Sequence, residues 1–193
     1  MARPIKYSHI PRRKREGKTN YNSRLSLLKS GMSRMVVRKS SKGIVCQIIN
    51  YDPDGDKIVA SAHSKELKKI GWKLDCKNIS AAYLTGLMLG KKAAKNKISM
   101  AVLDIGVQTS TKGSRIYAAA KGAVDAGLKM PLSPEIAPNE DRIRGRHVEE
   151  YAKLLKKDQK TYEKIFSGYL KEGMDPTQCT KYFDAIKKKI AEV

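Results

Sequence analysis

The segment best placed to do chemistry in this sequence is Thr109-Ser110-Thr111-Lys112-Gly113-Ser114-Arg115, where hydroxyls, a glycine and two cations precede a predicted helix N-terminus. Such a segment can grip a phosphate through hydroxyls, backbone amides and its cations, which makes Lys112 and Arg115 candidate phosphate contacts. The same residues can equally form an ordinary capped turn with two solvated cations. The spacing G-x-x-x-x-G-K-[ST] of a nucleotide-hydrolysing loop is absent, so an ATPase is unsupported. A nuclease working through two metal ions needs several converging carboxylates. Here Met35 to Ser40 and Ser80 to Lys95 carry no acid, and Asp104 stands alone near the end of the fourth predicted strand. A lone carboxylate there reads as a capping or turn-satisfying residue. Cys46, Cys76 and Cys179 are odd in number, far apart and in no C-x-x-C pair, and His9, His63 and His147 are scattered. They imply neither a disulfide framework nor a zinc site, and no cofactor is expected. No local signature joins a serine or threonine to a histidine as an activated nucleophile.

Charge is the stronger signal. Among 193 residues, 40 Lys and Arg oppose 19 Asp and Glu, a net charge of +21 with a pI near 9.9. That balance calls for a polyanionic partner. Residues 1–42 hold 13 basic residues against Glu16 alone, residues 43–146 hold 17 against 10, and residues 147–193 hold 10 against 8. The chain has no apolar run of about 18 residues and no basic amphipathic helix with exposed aromatics, which favours nucleic acid over a membrane. The opening Met-Ala-Arg-Pro lacks the apolar stretch of a secretory signal, so a cytosolic protein is expected. In the basic run, Arg and Lys can neutralise phosphates, and Tyr7 and Tyr21 lie close enough to stack on unpaired bases. For Tyr21 taken alone, helix packing is the weightier role.

The elements that must position these groups follow from periodicity and turn chemistry. Tyr7 to Lys18 has too few bulky apolar residues to bury a face and is expected to be extended, with a short docking helix from Tyr21 to Ser30. Arg34 to Ser40, Ile44 to Tyr51 and Lys57 to His63 read as an antiparallel meander, broken by Ser41-Lys42-Gly43 and Asp52-Pro53-Asp54-Gly55. A helix is predicted from Ser80 to Lys95, capped by Asn78 or Ser80. A buried parallel strand follows from Ile98 to Ile105, then a helix from Ser114 to Ala126 ended by Gly127. Beyond a proline-rich connector, helices are predicted from a start near Arg144 to Val148 to about Lys157, from Gln159 to Leu170, and from Pro176 to Ile190 with Asp175 as N-cap. The fold class is α/β (α+β): a mixed β-sheet with an N-terminal antiparallel meander and covering helices. Three parts are expected: a basic arm with a short helix (1–33), an RNA-binding core (34–146) and a helical C-terminal extension (147–193).

Several motifs resemble one family along nearly the whole chain. Pro11-Arg12-Arg13-Lys14-Arg15-Glu16-Gly17-Lys18-Thr19, Val36-Val37-Arg38-Lys39-Ser40, Ala62-His63-Ser64 and Gly71-Trp72 are similar to the large-subunit ribosomal protein L-eighteen family in its archaeal form. Ala81-Ala82-Tyr83-Leu84-Thr85-Gly86-Leu87, Leu103-Asp104-Ile105-Gly106 and Lys121 to Leu128 extend the likeness, as do Arg142 to His147 and Phe166 to Leu170. The long helical extension is similar to archaeal members and to the eukaryotic counterpart, L-five. The resemblance implies a protein that binds 5S ribosomal RNA, helps attach it to the large-subunit RNA and forms part of the central protuberance beside neighbouring ribosomal proteins. It implies RNA contact along the basic segment, which maps onto Arg12, Arg13, Lys14, Arg15, Lys18 and Arg24, with Arg38 and Lys39 following on the first strand. No small-molecule substrate and no catalysis are implied. Two rival readings are a nuclease, opposed by the missing carboxylates, and a general basic chaperone or chromatin-like binder that needs only the N-terminal charge.

Overall fold

The computed structural model describes residues 9–192. Pro11 opens one helical turn, α1 (Arg12–Arg15), and α2 (Tyr21–Leu28) follows, its first amides at Asn22 and Ser23 accepted by the Asn20 side chain. The core then runs β1 (Arg34–Lys39), β2 (Ile44–Asn50), β3 (Lys57–His63), α3 (Glu66–Lys69), α4 (Ile79–Lys95), β4 (Val102–Asp104) and α5 (Arg115–Asp125). The extension comprises α6 (Glu140–Arg144), α7 (Arg146–Leu155), α8 (Gln159–Ile165), α9 (Ser167–Lys171), a 3-10 turn (Pro176–Gln178) and α10 (Cys179–Glu192). No helix among the described residues is long and apolar enough to cross a membrane.

The sheet order is β3-β2-β1-β4, with β1 antiparallel to β2, β2 antiparallel to β3, and β4 parallel to β1. Strand alternation sorts the side chains. Met35 and Val37, Ile44, Cys46 and Ile48, and Ala60 and Ala62 enter the core under the helices, while Arg34, Val36 and Arg38 take the opposite face. Every α4 residue from Ser80 to Gly90 is buried, because the helix lies between the sheet, α5 and the extension. Its contact with α5 is backbone on backbone. A Cβ on Gly86 would lie 1.9 Å from the Ala119 carbonyl oxygen, and one on Gly122 would lie 2.1 Å from that of Tyr83. On its far side α4 meets α10, where Phe183, Ile186 and Ile190 are buried and the Phe183 ring sits 5.7 Å from Tyr83. At the outer edge of the sheet, Lys92 Nζ donates to the Ser61 carbonyl (2.8 Å) and Asn96 Nδ2 to that of Val59 (2.9 Å).

The meander and the two core helices lie where periodicity puts them; four segments depart. Residues 12–15 are helical rather than extended, since Pro11 starts a turn that closes when the Lys18 amide donates to the Arg13 carbonyl (2.9 Å). The strand expected over 98–105 shrinks to three residues, because Lys97 adopts φ 58° and Met100 pairs separately with Lys129. The helix expected to start near Arg144 to Val148 is α7, beginning at Arg146, but an unexpected short helix, α6, precedes it across Gly145, which sits left-handed at φ 84°. The next predicted helix divides at Phe166, whose ring packs among Tyr151, Tyr162 and Tyr169.

Candidate nucleic-acid interface

The sheet face turned away from α4 and α5 is roofed by the arm, leaving a groove of about 810 Å³. Arg13, Lys18 and Thr19 come to it from the arm, Arg24 and Leu27 from α2, and Arg34, Val36 and Arg38 from β1. Arg13 is steered by its Nε, which donates to Thr19 Oγ1 at 2.9 Å. The groove therefore gathers four of the predicted contacts, Arg13, Lys18, Arg24 and Arg38.

A chain of alternating charge forms its floor. Arg24 and Arg34 each pair with Asp56, at 3.0 and 2.7 Å, and Arg34 and Arg38 each pair with Asp104, at 3.1 and 3.0 Å. Arg34 is only 3% exposed and Asp104 6%. Asp104 also accepts the Gly106 amide at 2.8 Å, the turn-satisfying role expected of it. Arg38 is further tied down by NH1, which donates to the carbonyls of Val37 and Asp104, and its guanidinium lies over Gly106. Three arginines against two aspartates leave this floor with one excess positive charge. Arg34 and Asp56 were not singled out in the sequence; Arg34 joins the site through the β1–β4 register of the folded sheet, which sets Asp104 opposite Val36 and so beside Arg34 and Arg38.

The remaining predicted residues divide. Arg12 and Lys18 both pair with Glu16, at 3.2 and 2.8 Å, yet stay mostly exposed. Lys14, Arg15 and Lys39 are exposed and have no ion-pair partner among the described residues. Tyr21 is 37% exposed, so most of its surface is covered although α2 buries no residue outright. Tyr7, with Arg3 and Lys6, lies outside the described residues. Lys112 and Arg115 do not join the groove. Lys112 borders a separate depression with Glu135 and Arg142, while Arg115 NH1 donates to the Lys77 carbonyl at 2.8 Å. Ser114 occupies the N-cap position of α5 without a side-chain cap bond, and the Gly113 amide already donates to Ile136. Among the described residues no group of three or more His, Cys, Asp or Glu could hold a metal ion.

Residues 5–101 and 93–133 match the family described as ribosomal large subunit proteins 60S L5 and 50S L18. The large ribosomal subunit protein uL18 of Thermofilum pendens is 47% identical over 193 residues, 100% of this chain and 98% of its own. The chain belongs to this ribosomal protein family. As an L5/L18 family member it is an RNA-binding protein of the large ribosomal subunit that serves translation, and the family is one of ribosomal structural proteins rather than enzymes. The relative spans the extension as well as the core, so α6 to α10 are part of the family likeness.

Proposed function

We propose that this L5/L18 family member binds 5S ribosomal RNA, helps attach it to the large-subunit RNA in the central protuberance, and uses the arm and the groove beneath it as its principal RNA contact. The observation that supports this most is the convergence of Arg13, Lys18, Arg24 and Arg38 on one groove, next in sequence to Lys14 and Arg15, which have no ion-pair partner among the described residues. Arg12, Arg13, Lys14, Arg15 and Lys18 act on phosphates, and the half-exposed Tyr21 offers a ring to an unpaired base. Arg24 and Arg38, held by Asp56 and Asp104, shape the groove and present only their outer edges to RNA. Lys39 continues the cationic track past β1, and Lys112 and Arg115 mark a lesser contact. The working place of such a protein is the cytoplasmic ribosome, beside neighbouring large-subunit proteins.

The test is affinity for 5S RNA against an unrelated RNA of equal length, over a salt series. Selective binding with a steep salt slope is expected, because each neutralised phosphate contributes about 0.7 to 0.9 to the slope of log affinity against log salt. Arg13→Ala or Arg15→Ala should reduce that slope by roughly one. Equal affinity for both RNAs would reduce the protein to a general basic binder, and a flat salt plot would sink the electrostatic mechanism.

A further inference from the structure

A second cationic concavity lies at the seam between the core and the extension, lined by different elements from those of the arm groove. Its volume is about 480 Å³, within the roughly 300–1,000 Å³ of ligand pockets. Four lysines from four segments border it: Lys42 from the β1–β2 turn, Lys65 from the turn after β3, Lys68 from α3 and Lys73 from the loop beyond. Lys42, Lys65 and Lys73 are exposed and have no ion-pair partner among the described residues; Lys68 reaches Glu172 only at 3.9 Å. The other acid, Asp75, is engaged by Lys77 at 3.4 Å. Four lysines against two carboxylates leave the hollow with a net positive charge that suits an anion.

The hollow is not lined by charge alone. Leu74 and Cys76 contribute apolar lining, and Tyr169 of α9 borders it from the extension. The Tyr169 ring is held edge-on by Phe166 at 5.8 Å, and its hydroxyl has no hydrogen-bond partner among the described residues. Burial raises the Tyr169 pKa, so that hydroxyl stays a donor. An aromatic residue bordering the same hollow as four ammonium groups matches a base and its flanking phosphates. An acidic peptide would use the lysines and leave the ring idle.

We infer that the lysine-lined hollow between α3 and α9 is a second RNA site that takes one unpaired nucleotide, its base against Tyr169 and its phosphates on Lys65, Lys73 and their neighbours. This rests on the reading of the chain as a ribosomal RNA-binding protein and gives the extension a part in that binding. Both walls must be present, so the site exists only where the extension is docked on the core.

The sole tryptophan reports on it locally. Trp72 is 2% exposed, adjoins Lys73 and donates from Nε1 to the Asp75 carbonyl at 3.3 Å. Titrating the full chain with a short oligouridylate should change Trp72 fluorescence in a saturable, salt-dependent way. Lys65→Ala with Lys73→Ala, both exposed positions, should lower the salt slope by about 0.7 for each lysine that meets a phosphate. Tyr169→Ala should weaken binding about tenfold while Tyr169→Phe keeps most of it, as stacking requires. An unchanged titration in the double lysine variant overturns the proposal, and so does polyglutamate binding as well as the oligouridylate. If Tyr169→Ala does not fold, the lysine variant still decides. Arg13→Ala with Arg15→Ala should weaken 5S RNA binding and leave the Trp72 titration unchanged. A chain that fails to prefer 5S RNA but passes the Trp72 test therefore removes the 5S assignment and not this site.

Discussion

Asp104 carries more than a turn-satisfying carboxylate must, because it balances two arginines on a nearly dry floor. Its side chain is 8% exposed and that of Arg34 4%, so solvent screens this pair little. Breaking a buried pair leaves an uncompensated charge and typically costs about 3–5 kcal/mol. Asp104→Asn should therefore lower unfolding free energy by about 3 kcal/mol in a urea titration, and a loss below about 1 kcal/mol would deny the floor its structural role. The isolation of Asp104 was legible in the sequence, but its partnership was not: Arg34 stands 70 residues away, and only the pairing of β1 with β4 brings them together. All three cysteines are free and buried, and burial pushes Cys46 up to about 12 and Cys179 up to about 11. A thiolate-directed disulfide reagent at about pH 8 should leave Cys46 and Cys179 unlabelled in the native protein and label both after denaturation. Rapid labelling of Cys46 without unfolding would contradict the packing of β2 under α4.

The crossing of α4 and α5 is set by what is missing from three positions. Gly86, Gly90 and Gly122 let the two backbones touch, and any Cβ there meets Ala119, Ala123 or Tyr83 at less than 3.0 Å. Overpacking of this kind typically costs about 1–3 kcal/mol, and more where the obstacle is backbone. Gly86→Ala should destabilise the protein by about 3 kcal/mol or more in thermal or urea unfolding, despite alanine's better helix propensity. A stabilised variant would show that the helices do not lie this close. The sequence made α4 legible, since its apolar run and the cap at Asn78 are local signals. It could not say why glycines interrupt that run, because the reason lies on another helix. The same division explains the departures in β4 and α6–α7. Lys97 in the left-handed region and Gly145 as both an end and a start are backbone states that side-chain periodicity does not report.

At the scale of the whole molecule, charge and apolar packing are kept apart. Neither α1 nor α2 buries a residue, so the arm contributes little to the core. Deleting residues 2–18 removes Arg3, Lys6, Arg12, Arg13, Lys14, Arg15 and Lys18 against Glu16 alone, and spares the Asn20 cap of α2. The thermal midpoint should move little, while affinity for 5S RNA at low salt should fall by about two orders of magnitude or more. Loss of the cooperative transition, or undiminished binding, would refute that division. The three electrostatic zones were legible from residue counts alone; the groove was not, because it needs the arm folded over the sheet. The sheet itself ends at β3, where Lys92 and Asn96 occupy the carbonyls of Ser61 and Val59. A strand edge left bare is a template on which a second chain can add by backbone pairing. Lys92→Ala with Asn96→Ala should leave the monomer folded but shorten the lag before fibrillar, thioflavin-binding material forms in RNA-free solution. A shortened lag would make the two side chains a shelf-life device for the unassembled protein, and an unaltered lag would show that the edge is guarded by something else.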